Sequence, residues 1–249
     1  METFPNAPIQ EAILDIFVRL PSSTTLEDLK TFGNPIALKY PETHERVSFS
    51  GGLQVKLGGE SASSTSVKLM GYLFKSPTEN KAVQARLDGF TFNKLRPYTK
   101  WTEFAKEARE LWAMYREVAK PILIDRIGLR YLNRLELPLP IRDFRDYCLL
   151  FPNIPQQLPQ QLNSFFMQYG CPIEQSKTAQ AEITVTFGPP PPGKAIIPLI
   201  LDVAVTDTCN YRPELDTPVW ESFEALRKAK NAIFDASTSE LAKSLFRTS

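Results

Sequence analysis

The chain has 249 residues, 43% of them hydrophobic, and its 29 lysines and arginines stand against 28 acidic residues. Length and apolar content suit an ordinary globular fold with room for a substantial core, while the charge balance leaves no overall field to draw the protein to nucleic acid or to an anionic membrane. Cys148, Cys171 and Cys209 are odd in number and widely spaced, which argues against a disulfide framework or a CxxC zinc site and fits reduced thiols.

The opening METFPNAPIQ lacks the basic region and apolar run of a secretory signal, so a cytoplasmic chain is expected. QEAILDIFVRLP then alternates as a strand, with Ala12, Leu14, Ile16 and Val18 on one side and Glu11, Ile13, Asp15, Phe17 and Arg19 on the other. A short helix is predicted at LEDLKTF, followed by three strand-like runs, RVSFSGGLQVKL, SVKLMGYLFK and AVQARLDGFTFNKL, joined by GGESASST and SPTEN. The single histidine, His44, falls in the polar stretch YPETHERV; no second histidine joins it as a zinc ligand, and no acid-serine-histidine arrangement is evident. No metal or cofactor is therefore expected. Glycines in GGLQVKLGGE lack the lysine and helix start of a phosphate-binding loop. In TKWTEFAKEARELWAMYREVAK, Trp101, Phe104, Ala108, Leu111, Trp112, Tyr115, Val118 and Ala119 recur at helical steps that end before Pro121, with Thr99 as the expected N-cap.

The same order of elements then returns. RIGLRYLNRLELP reads as a strand with Arg126, Arg130 and Arg134 on one side, and IRDFRDYCLLF as a short helix. NSFFMQYG, AEITVTF and AIIPLILDVAV supply three more strands; the last is broken by Pro198 and Asp202 and is too short to cross a bilayer as a helix. GPPPPGK reads as a hairpin tip in preference to a polyproline ligand. TPVWESFEALRKAKNAIF is a second long helix, with Thr217 as cap and Pro218 at the first helical position, and Ser237 with Glu240 predicts a capping box for a terminal helix carrying Leu241, Leu245 and Phe246. Both long helices open with Trp-x-x-Phe, Trp101 with Phe104 and Trp220 with Phe223.

These matches predict an α+β fold built from a duplicated β-α-β-β-β-α unit, residues 1–121 and 122–249, sharing one curved antiparallel sheet with the two long helices on one face. The architecture is analogous to TATA-binding or helix-grip proteins, an analogy that carries no function. Reading AVQARLDGFTFNKL as one strand puts Val83, Ala85 and Leu87 beneath a helix and leaves Tyr72, Phe74, Phe90 and Phe92, with Arg86, Lys94 and Arg96, on the open face. Aromatic rings among cations on a sheet can stack bases and contact phosphates. If the two first strands pair at the centre, Glu11 and Asp15 are expected to answer Arg126 and Arg130, leaving Arg134 freer.

The segments NAPIQEAILDI, FNKLRPYTKWTEFAKEARELWAMYREVAKP leading into RIGLRYLNRL, and AKNAIFDASTSELAKSLF resemble a sporadically distributed family of uncharacterised prokaryotic proteins of about this length. That resemblance brings no activity, cofactor or site residue; its patchy distribution would suit a mobile defence or toxin-antitoxin locus. The expected function is a non-catalytic binding or regulatory subunit that engages a protein partner through the open sheet face. The alternatives are a single-stranded nucleic-acid binder and an enzyme with its site in the saddle; a second copy of the chain is a further candidate partner.

Overall fold

A computed structural model describes residues 4–54, 62–160, 162–174 and 176–247. The end of the RVSFSGGLQVKL run and the start of the GGESASST connection lie outside the described residues. Nine strands, β1 (Ile9–Arg19), β2 (Glu42–Gln54), β3 (Ala62–Ser76), β4 (Lys81–Arg86), β5 (Gly89–Leu95), β6 (Leu123–Pro138), β7 (Phe166–Pro172), β8 (Ala179–Phe187) and β9 (Ile196–Tyr211), form one open sheet in the order β2-β3-β4-β5-β1-β6-β9-β8-β7. Every neighbouring pair is antiparallel. No helix is long and apolar enough to cross a membrane among the described residues.

The two long helices, α3 (Trp101–Ala119) and α4 (Asp216–Ser237), lie against the same sheet face, joined there by the short helices α1 (Leu26–Thr31), α2 (Gly33–Ile36) and α5 (Glu240–Arg247). The helical stripe of α3 buries Phe104, Ala108, Leu111, Trp112, Tyr115 and Ala119, because residues three and four apart share one side of the cylinder. Phe104 stacks on Phe92 with ring centres 5.0 Å apart, and Trp112 meets Phe90 edge-on at 5.8 Å. α4 lies over β6 and β9 and buries Val219, Trp220, Phe223 and Leu226. The helices run antiparallel: Trp101 Nε1 donates to Glu224, Arg109 Nε to Asp216 at 2.6 Å, and Arg116 to the Pro213 carbonyl at 2.6 Å.

Several boundaries differ from the sequence reading. The run from Val83 to Arg96 is a hairpin, with Leu87 and Asp88 as its turn. A two-residue turn pairs odd positions of β4 with even positions of β5, so Val83 and Ala85 share the helix-covered side with Phe92 and Phe90. In β3 a bulge at Met70 precedes Gly71, whose Cβ, if it had one, would lie 2.1 Å from the Ala85 carbonyl oxygen; beyond it Tyr72 and Phe74 point inward. IRDFRDYCLLF forms only a 3-10 turn at Phe144–Asp146. Lys100, not Thr99, occupies the N-cap of α3, and α4 begins at Asp216, ahead of Thr217. Ser239, not Ser237, caps α5 by accepting from the Ala242 N–H at 3.1 Å, while Ser237 Oγ donates back to the Ile233 carbonyl.

Candidate functional site

The sheet face opposite the helices carries a polar seam centred on β1 and β6. Their register sets Asp15 opposite Gly128, Ile13 opposite Arg130 and Phe17 opposite Arg126. β5 places Thr91 beside Asp15 on the other flank, and β9 places Thr206 beside Gly128. Small residues at Gly128 and Thr206 leave the side chains of Asp15, Arg126 and Arg130 room to spread across the middle of the sheet.

Asp15 is the electrostatic centre. Burial pushes its carboxyl above the usual range; a hydrogen bond from the Thr91 hydroxyl and the guanidinium groups of Arg86, Arg126 and Arg130 act in the opposite direction. Arg86 donates to Thr91 Oγ1 and, through Nε, to Asp88 at 2.8 Å, and its guanidinium stands 3.8 Å from Asp15. Arg130 acts on Asp15 and Glu11 only through space, and its direct partner is elsewhere. Its Nε lies 3.0 Å from each carboxylate oxygen of Asp202 on β9, and that pair raises the guanidinium's affinity for its proton further. Glu11 accepts instead from Asn93 Nδ2 at 2.7 Å.

Arg126 is different. Its guanidinium carbon sits 3.8 Å from the centre of the Phe17 ring, and among the described residues no carboxylate lies within ion-pair distance of it. Arg86 approaches the same ring at 5.4 Å, so Phe17 is flanked by two cations. Arg134, expected to be freer, meets Glu136 at 3.6 Å and donates to the Pro189 carbonyl at 3.2 Å.

Of the residues singled out from sequence, the fold thus gathers Arg86, Arg126, Arg130 and Arg134 on the open face. Tyr72, Phe74, Phe90 and Phe92 lie in the core at 5%, 1%, 0% and 0% exposure, because the hairpin turn and the bulge at Met70 reverse their facing. Lys94 belongs to the helix side, where it donates to the Glu79 carbonyl near Lys81 and Glu107, and Arg96 lies beyond the end of β5 and donates to Asn6 Oδ1 at 3.1 Å. Phe17 and Asp202 went unremarked as site residues. Alternation in β1 places Phe17 beside Asp15, but nothing local in the sequence tells that Asp202, inside an apolar run, is Arg130's partner on a third strand. No family model matches the chain, and neither the curated proteins nor the solved structures show a significant similarity to it.

Proposed function

We propose that the chain is a non-catalytic binding or regulatory subunit that docks a protein partner on the open sheet face. The observation that carries this reading is the centre of that face, which no helix covers among the described residues and where Phe17 lies between Arg86 and Arg126 amid carboxylates and cations of both signs. An arginine stacked on an aromatic ring, without a carboxylate of its own, is the kind of residue that anchors a protein interface. Arg86, Arg126, Arg130 and Arg134 are offset there by Asp15, Asp88, Glu136 and Asp202, with Glu11 and Glu182 also acting on Arg130. Such balance favours a partner with complementary charges of both signs over a polyanion, whose phosphates need a net positive groove. Base stacking is further disfavoured because the aromatic residues proposed for it are core residues.

The duplicated-unit reading belongs to the same proposal. It is supported by the matched helices, in which Arg227 covers Trp101 and Arg109 covers Trp220, each at 5.8 Å. A photo-crosslinking amino acid at Thr208 or Glu182, both exposed on the open face, is expected to capture one protein in native cells, with Lys228 on the helix side as control. Arg126→Glu should reduce that capture at least about tenfold, the loss expected of an interface anchor. Equal adducts from Lys228, nucleic-acid adducts in place of protein, or capture indifferent to Arg126→Glu would each overturn the reading.

A further inference from the structure

On the opposite face of the sheet, a cleft of about 440 Å³ opens between the start of α3, the later turns of α4, β6 and the segment before β1. Its walls are mostly flat and apolar: Phe4, Tyr98, Trp101, Tyr131 and Phe234 contribute rings. Lys230 of α4 lines this cleft although it is only 7% exposed. Its Nζ rests 3.7 Å from the centre of the Tyr131 ring, and among the described residues it has neither a hydrogen bond nor a carboxylate within ion-pair distance. A lysine stem is long enough to carry its amine to water; here packing holds the amine inside the molecule instead. A buried charge without a partner is costly, so its persistence at the wall of a cavity points to a partner that arrives from outside.

The neighbours restrict what that partner can be. Arg227 and Lys100 add positive charge, while Glu224 and Asp235 add negative charge. Glu224 is already engaged by Arg227 at 2.9 Å and by the Trp101 indole, and Asp235 stands 3.9 Å from Lys243. Lys100 is likewise engaged by Glu103 at 3.0 Å, so among the described residues Lys230 is the cation of this group left without an ion-pair partner, which suits a monoanion and disfavours both cations and multiply charged phosphates. The Tyr98 and Tyr131 hydroxyls are bonded to each other at 2.8 Å, and burial keeps both neutral, pushing Tyr98 up to about 12. They therefore add no negative charge. α3 also starts here without a side-chain cap, so its first N–H groups contribute positive potential near the mouth.

We propose that this cleft binds a small apolar monoanion, a carboxylate on a flat or chain-like hydrophobic body, with Lys230 as its charge partner. The volume lies within the range of small-molecule sites. The proposal is independent of the open-face reading, since it concerns the other side of the sheet. Because desolvation and Arg227 lower the Lys230 amine to about 7 while Asp235 opposes them, a bound carboxylate would have to restore the proton, and affinity should fall as pH rises from 7 towards 9.

Calorimetric titration of the full chain with 2-naphthoate tests this, with 2-naphthalenemethanol as the neutral analogue. The expected result is one saturable site for naphthoate that weakens towards pH 9. Lys230→Met should bind it at least about tenfold more weakly, the equivalent of one charge-assisted hydrogen bond, and should lose the pH dependence. Asn231→Trp, which narrows the cleft and leaves Lys230 in place, should bind poorly as well, so the test survives if one variant fails to fold. Absence of saturable binding to the parent, equal affinity for the alcohol, or unchanged affinity in the folded variants would overturn the proposal.

Discussion

A lysine packed onto a tyrosine ring beneath a helix is a charge from which folding strips water, and the consequence for stability follows directly. The Lys230 amine, lowered to about 7 in the folded chain, keeps an ordinary value near 10.4 when unfolded. Between those values the unfolded state binds more protons, so stability rises with pH through that window, and below pH 7 the full penalty is present. At about 1.4 kcal/mol per pKa unit, the penalty is several kcal/mol. Lys230→Met keeps the stem and removes the charge. It should therefore melt above the parent at pH 6, with the gap shrinking towards pH 10; a constant gap across that range would show that the amine does not titrate as its burial requires. The core aromatics behave in the opposite sense. Phe92 is fully buried against Phe104, and Phe92→Ala should cost about 3–5 kcal/mol in denaturant unfolding, whereas an exposed base-stacking ring would cost little.

At the scale of elements, the hairpin of β4 and β5 decides which side of the sheet its aromatics face. Gly89 follows the turn with φ of +156°, and a Cβ there would stand 2.3 Å from the Ile16 carbonyl oxygen of β1. That neighbour is backbone in a central strand and cannot yield cheaply. Gly89→Ala should thus destabilise the chain by about 2–4 kcal/mol, while Gly170→Ala in the edge strand β7, where the nearest atom is 3.7 Å away, should change stability by less than about 1 kcal/mol. Differential scanning fluorimetry of the two variants separates them. The turn was legible in principle, since Asp88–Gly89 is a hairpin signal, yet Leu87 continues the odd apolar positions of Val83 and Ala85 and so masks it. Existence and type of α3, α4 and most strands were readable because their periodicities are long. Caps shifted by one or two positions: Lys100 and Leu215 begin α3 and α4 without a side-chain cap hydrogen bond, and at α5 the neighbouring Ser239 takes the role expected of Ser237.

For the whole molecule, the sequence reading of two similar halves correctly placed β1 beside β6, since two strands of like pattern can meet antiparallel at the centre of a sheet. It set Glu11 and Asp15 within electrostatic reach of Arg130 but missed that residue's direct partner, because charge pairing depends on which third strand flanks the seam, and β9 enters that position from about 70 residues further along. The seam has a consequence for unfolding. Cutting between residues 121 and 122 would strip β6 from β1, turning a central apolar strand into an edge, and would part α3 from α4 with the loss of the Arg109–Asp216 and Trp101–Glu224 contacts. Leu14 and Ile16 of one half and Leu129 and Tyr131 of the other belong to one continuous core, so neither half retains a complete one. The full chain should therefore unfold in a single calorimetric transition whose van't Hoff and calorimetric enthalpies agree. Residues 1–121 and 122–249 expressed apart should be unfolded or aggregated, and a soluble 1–121 fragment with dispersed amide resonances would show that the seam joins two separately stable units.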